Sequence, residues 1–213
     1  MLKVTNLIFN PFEECTYVVA DSASGEAIVV DPGMFNNEEC QRFDEFIENR
    51  KLTIKGIVNT HLHLDHCFVI QHIKDKYGVG LSAHAADAPL GDSFVEQCQR
   101  FGLPRPKSSI SIDTPIADGD SITIGEEVLK VIHVPGHSPG GIALYSQSGA
   151  FALVGDSLFH GSIGRTDLFG GSYPQLISSI QKRLMTLPDD TTILPGHGER
   201  TTIASERSYN PYL

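Results

Sequence analysis

The sequence predicts a layered fold of mixed α/β (α+β) class, with two sheets packed together and helices outside. Two observations predict it. Short β-branched runs fall into two blocks on either side of a strand-poor middle, with helical patterns among them. Four of those runs also end in polar punctuation. "IVNT" leads into His61, "VIHVP" into Gly136-His137, "FALVG" into Asp156 and "TILP" into Gly196-His197. A motif that follows a strand sits on a loop held by a rigid sheet, so all four are expected to meet at one edge of the layers. The 213 residues suit one domain spanning 1–213, long enough to bury a sizeable core.

Taken in order, "LKVTNLIF", "CTYVVAD" and "EAIVVD" are strand-like, and the second passes through "SASG" into the third as a hairpin. "DPG" at Asp31–Gly33 makes a turn. "NNEECQRFDEFIENR" predicts a helix capped by Asn37, with acids in its first turn and Cys40, Phe43, Phe46 and Ile47 along one face. "IKGIVNT" is the next strand, ending at Thr60, and "CFVIQHIKDKYG" a helix stopped by Gly78. Ala83 to Pro115 reads as helical and loop-like, broken by Pro89, Pro104 and Pro106. The second block holds strands "SITIG", "EVLKVIHVP", "GIALYS" and "AFALVGD", then helix "PQLISSIQKRLMTL" and strand "TTILPG". No low-complexity tract or short-period repeat interrupts it.

Composition excludes several roles. A formal net charge of −10 argues against nucleic acid or an anionic membrane as a main partner, and an anionic substrate would need a local cation. No apolar run reaches the roughly 18 residues of a spanning helix. "MLKVTNLIFNPFEECTY" lacks the apolar core and cleavage site of a signal peptide and reads as a first strand. The four cysteines, Cys15, Cys40, Cys67 and Cys98, form no C-x-x-C pair, so they are expected to be small buried thiols in a reducing cytoplasm. The expected partner is a small molecule; no protein partner is signalled.

The chemistry is concentrated in "VNTHLHLDHCFV", which packs His61, His63, Asp65 and His66 together. Neutral imidazoles and ionised carboxylates are ligands for divalent metals. Residues two apart in an extended segment point the same way, so His61 and His63 reach one ion together. A bend into the following helix redirects Asp65 and His66 toward a second ion about 3.5–4 Å away. His137 completes the first set and His197 the second, and Asp156 has two oxygens with which to bridge them. Such a centre keeps a small positive charge while holding a deprotonated water, so the expected reaction is hydrolysis of an activated carbonyl or phosphate ester. His72, His84, His133 and His160 lack a ligand partner at useful spacing and read as ordinary polar residues. Cys67 reads as a buried small residue, and Asp31 as a turn former that supports a ligand.

"THLHLDH", "GHSPGG", "GDSLF" and "PGHG", in this order and spacing, resemble the metallo-β-lactamase superfamily from about Asp31 onward. The resemblance implies a four-layer αββα sandwich with metals at one edge of the two sheets. It assigns His61, His63 and His137 to one site, Asp65, His66 and His197 to the other, and Asp156 between them, with Asp65 and Asp156 also serving catalysis. One zinc subclass of the lactamases has a cysteine in place of Asp156 and others lack the bridging carboxylate, which weighs against an antibiotic-degrading role. "GSIGRTDLFGG" and "ERSYNPYL" resemble short glyoxalase II-like proteins and persulfide dioxygenases.

The best match is the short bacterial, hydroxyacylglutathione hydrolase-like branch. That implies a thioesterase for small hydroxyacyl thioesters with a metal-bridging hydroxide as nucleophile. Two divalent ions are implied, zinc first, with iron or manganese also compatible with nitrogen and oxygen ligands. Arg165 is the expected substrate cation, with Asp167 as its competing partner. Two departures stand out. Gly141 replaces a histidine common in glyoxalase II enzymes, and the chain ends about 16 residues after His197, where longer relatives carry a basic helical extension that grips glutathione. The alternative is a mononuclear-iron persulfide dioxygenase using His61, His137 and Asp156, although Ile163 stands where that branch has cysteine. Lactone hydrolysis is a further reading. An RNA-processing nuclease is disfavoured by the acidic charge.

Overall fold

The computed structural model describes residues 1–213. Three antiparallel strands come first, β1 (Leu2–Phe9), β2 (Glu14–Asp21) and β3 (Glu26–Val30). Helix α1 (Asn37–Arg50) leads to β4 (Thr53–Val58), which pairs parallel to β3. Helix α2 (Ile70–Tyr77) leads to β5 (Leu81–His84), and α3 (Ala88–Asp92) and α4 (Phe94–Arg100) to β6 (Thr114–Ile116), each again parallel to its neighbour. These six strands form one sheet in sequence order.

The second sheet opens as an antiparallel meander of β7 (Ser121–Ile124), β8 (Glu127–His133), β9 (Ile142–Ser146) and β10 (Phe151–Gly155). A small hairpin, β11 (Leu158–Phe159) with β12 (Ser162–Ile163), and helix α5 (Tyr173–Ser179) then carry the chain to β13 (Thr192–Pro195), parallel to β10. Strand β14 (Thr201–Thr202) and helix α6 (Ile203–Tyr209) complete it, in sheet order β14-β13-β10-β9-β8-β7.

Strand alternation sorts the apolar residues into three layers. Between the sheets, Tyr17, Val19 and Val30 meet Leu129, Leu144 and Leu153. On the outer face of the first sheet, Val18, Val29 and Ile57 pack against Phe43 of α1 and Ile73 of α2. On the outer face of the second, Ala143, Val154 and Ile193 pack against Leu176 of α5 and Ile203 of α6. The result is the αββα sandwich expected. Each fully buried Leu, Ile or Phe contributes roughly 1.5–3 kcal/mol relative to exposure. No helix is long and apolar enough to cross a membrane. All four cysteines are free and buried.

Several boundaries differ from expectation. Asn36, not Asn37, caps α1: it keeps extended backbone and its side chain accepts from Glu39 N at 3.0 Å. β4 stops at Val58 and not at Thr60, because the side chain of Asn59 and the amide of Thr60 are committed to the following turn and to Asp31. α2 starts only at Ile70; Gly78 ends it as expected, with φ +68. The stretch from Ala83 to Pro115 is not only helix and loop, since β5 and β6 overlap its two ends. The helix predicted from Pro174 begins at Tyr173 and continues beyond Ser179 as a π turn, Ile180–Leu184.

Candidate metal centre

β4, β8, β10 and β13 deliver His61, His137, Asp156 and His197 to one edge of the sandwich. The close approach of β10 to the loop after β4 needs Gly155: its φ is +51, and a Cβ there would overlap Thr60 Oγ1.

Buried polar groups hold the ligand loops. Asn59 Nδ2 donates to His66 O at 2.8 Å and to His61 O at 3.3 Å, folding the His61–His66 segment back on itself. Asp31 does what was expected of it. Its Oδ1 accepts from Thr60 N at 2.7 Å and its Oδ2 from Thr60 Oγ1 at 2.6 Å, while Oδ2 also lies 3.1 Å from His66 Nδ1. Thr60 Oγ1 in turn sits 3.1 Å from His61 Nδ1. Below them is Glu14, fully buried, which sequence reasoning missed. Its Oε2 accepts from Thr16 Oγ1 at 2.8 Å, and burial pushes its carboxyl pKa well up. Two further imidazoles, those of His137 and His197, are oriented by main chain. His137 Nδ1 donates to Arg165 O at 2.7 Å and His197 Nδ1 to Phe12 O at 2.9 Å.

The other ring nitrogens converge. His137 Nε2 lies 2.8 Å from His63 Nδ1 and 3.3 Å from His61 Nε2. Asp65 Oδ2 lies 3.1 Å from His197 Nε2 and 3.9 Å from His66 Nε2. Asp156 reaches both groups, with Oδ1 3.4 Å from His66 Nε2 and Oδ2 3.7 Å from His137 Nε2 and 3.6 Å from His197 Nε2. All seven expected ligands are therefore together, as two triads flanking one carboxylate.

This donor set fits metal ions. The Nδ1 protons of His61, His137 and His197 point at fixed acceptors, which leaves their Nε2 atoms as lone pairs facing other acceptors. His66 Nε2 and Asp156 Oδ1 are buried without a hydrogen-bond partner. Converging acceptors at such distances repel unless protons or a metal cation sit among them. Asp31, His61 and His66 also bring donor atoms together, but Asp31 is already spent on Thr60.

The protonation balance points the same way. Burial and neighbouring imidazoles hold His61 well below its ordinary pKa, and burial with His137 pushes His63 down to about 3. Burial opposes charge on His66, yet the carboxylates of Asp156 and Asp65 override it and hold its pKa well up. Burial likewise opposes charge on Asp156, and His66 overrides it downward. A proton on His66 thus does part of a cation's work, and metal uptake would displace it.

At the centre opens a cleft of about 310 Å³, lined by the apolar side chains of Phe12, Leu64, Leu90, Phe101, Leu168 and Phe169. Arg165 lines it, but its guanidinium is held by Asp167 through two bonds of 2.7 and 2.8 Å. Arg100 of α4 also lines the cleft and makes no ion pair; it was outside the sequence reasoning, because nothing in its spacing says which side of α4 faces the centre. The remaining histidines stand apart: His72 pairs with Asp44, His84 stacks on His133, and His160 is exposed near Glu199.

Residues 11–197 match the model of the metallo-β-lactamase superfamily. The chain is 36% identical over 202 residues to hydroxyacylglutathione hydrolase GloC of Haemophilus influenzae, covering 94% of this chain and 92% of that one. Among solved structures it is similar to the BLEG-1 B3 metallo-β-lactamase, with TM-score 0.90, 32% identity and 99% of each chain covered. It is also similar to TTHA1623 in a di-iron-bound form, with TM-score 0.86, 32% identity, and 98% of this chain and 100% of that one covered. On these matches, with the two-sheet fold, the chain belongs to the metallo-β-lactamase superfamily and is a metallo-hydrolase of that family.

Proposed function

We propose that this metallo-hydrolase is a thioesterase that cleaves small hydroxyacyl thioesters such as S-lactoylglutathione. The observation that carries the proposal is the convergence of acceptor atoms from two triads on Asp156 at the floor of an apolar-walled cleft. The thioester class is supported by the likeness to GloC over nearly the whole chain. His61, His63 and His137 would hold one divalent ion, Asp65, His66 and His197 a second, and Asp156 would touch both. Ions bound there would lower the pKa of a coordinated water to about 7 and would polarise a carbonyl oxygen. Zinc is the first candidate, and the nitrogen and oxygen donors also tolerate iron or manganese.

The chain's own residues supply the rest. Phe12, Leu64 and Leu90 line the cleft with apolar surface and would exclude water from around the reacting group. A thiolate leaves readily, so no protein acid need stand over the sulfur, and the titratable groups on the floor all face the triads. Arg165 stays in the proposal as a substrate contact, since an exposed, solvent-screened pair with Asp167 is weak and yields to a better anion. Arg100 is the stronger candidate because it has no partner to give up. Arg100→Ala is expected to raise KM several-fold for an anionic thioester with kcat preserved, read from steady-state kinetics. An unchanged KM removes Arg100 from the substrate site.

The deciding experiment assays thioester cleavage by protein loaded with zinc, iron or manganese. Oxygen uptake with glutathione persulfide and hydrolysis of a chromogenic β-lactam are measured beside it, the latter because of the likeness to BLEG-1. Thioester turnover well above both is expected. Brisk oxygen consumption without thioester cleavage would overturn the thioesterase in favour of a dioxygenase, and β-lactam turnover alone in favour of a lactamase.

A further inference from the structure

We propose that Asp87 is the positioning residue of the His61–His63–His137 triad, one carboxylate that sets the spacing of all three imidazoles without touching any of them. Asp87 ends a short 3-10 turn, Ala85–Asp87, between β5 and α3, far in sequence from both ligand loops. It is fully buried. Its Oδ2 accepts from Leu62 N at 3.1 Å and from Ser138 Oγ at 2.9 Å, and its Oδ1 from Gly140 N at 2.5 Å. Leu62 lies between His61 and His63, and Ser138 follows His137 directly. One side chain therefore ties the segment that presents two imidazoles to the loop that presents the third.

Two further facts separate this from ordinary loop packing. No lysine, arginine or histidine forms an ion pair with Asp87, so the molecule buries an anion facing only N–H and O–H donors. An unpaired buried carboxylate is costly, and a neutral side chain would close the two loops at less expense. A negative charge in that position gains value when a cation occupies the adjacent triad. The partner loop is also shaped for it. A Cβ on Gly140 would come within 2.7 Å of Asp87 Cγ and 2.8 Å of its Oδ1, so the glycine leaves room for the carboxylate to reach the main chain.

Asp87→Asn tests the role with the shape preserved. Whichever way the amide faces, its NH2 meets a donor: Gly140 N–H on one side, or Leu62 N–H and the Ser138 hydroxyl on the other. The hydroxyl can turn away, but a backbone N–H cannot, so at least one main-chain tie is lost. The proposal rests on the triad being a metal site, so the variants are built in a His197→Ala background, where the triad holds the better-formed site, and also in the otherwise natural chain. Cobalt(II) is titrated in, and its visible spectrum is recorded at saturation. Asp87→Asn is expected to weaken cobalt binding at the triad by roughly 10–100-fold, in line with lost outer partners of metal ligands. The saturated spectrum should shift, while the Asp65–His66–His197 site keeps its affinity and far-UV circular dichroism is unchanged. Ser138→Ala, which breaks one bond and no main-chain tie, should produce a smaller loss in the same direction.

Wild-type affinity and spectrum in Asp87→Asn would overturn the role, and so would equal weakening of both sites, which marks a general structural part. Should Asp87→Asn fail to fold, Ser138→Ala decides alone: triad-selective weakening supports the role, and unaltered binding rejects it. Failure of the parent protein to bind cobalt at the triad would instead reject the ligand assignment under the proposed function.

Discussion

Replacing Asp156 by asparagine is expected to remove several orders of magnitude of activity and to lower the metal content from about two ions per chain. Asp156 is the one side chain within reach of both triads, 3.4 Å from His66 Nε2 and 3.6–3.7 Å from His197 and His137. Asparagine keeps the shape but removes the negative charge that offsets two cations. Its NH2 would also point a donor where a lone pair is needed. Elemental analysis and steady-state turnover on the same preparation check this. Two tightly held metals with near-normal turnover would show that the residue merely forms the turn after β10.

Gly196→Ala should be almost as damaging, for a reason that is purely spatial. The backbone of Gly196 is ordinary, so alanine is not strained by its φ. The added methyl, however, would overlap Asp156 Oδ1 and come within 2.7 Å of His66 Cε1. The main chain cannot retreat. Gly196 N donates to Gly155 O at 2.8 Å on one side, and Gly196 O accepts from Cys15 N at 2.8 Å on the other. Overpacking of this kind costs about 1–3 kcal/mol, which a protein of this size survives, so the chain should fold while Asp156 and His66 are pushed apart. Thermal unfolding, metal content and turnover are the measurements. Gly56→Ala, whose methyl would meet nothing within 4 Å, is the control and should behave like the parent. Full activity in Gly196→Ala would mean that the centre is far softer than its hydrogen bonds imply.

The seven residues that converge at the sandwich edge were legible because such clusters leave short-range marks. His61, His63, Asp65 and His66 sit within one turn of chain, and the other three follow strands whose β-branched runs announce themselves. Asp31 was legible through its "DPG" turn. What the sequence concealed were groups that act across space. Glu14 and Asp87 are single acids in unremarkable surroundings, and their hydrogen bonds span from 2 to 53 positions, with no spacing to betray them. β5 and β6 escaped because they are short, "LSAH" and "TPI", and are held by parallel pairing, β6 at the sheet edge, and not by intrinsic preference. Asn36 and Asn37 are equivalent by propensity, and only the extended backbone of Asn36 decides which one caps.

The bond from His197 to the carbonyl of Phe12 joins positions 185 apart, beside the tie between Cys15 and Gly196 and the strand-like bridge of Glu14 with His197. A ribosome releases Phe12 long before His197. During synthesis the first sheet can form and present His61, His63, Asp65 and His66 with no counterpart for the last triad. The second triad is thus completed by one of the longest loop closures in the molecule, a late event in any folding order that favours local contacts. Metal held by the second triad would then report docking: an ion bound through His197 requires that the segment after β13 has already closed against Phe12.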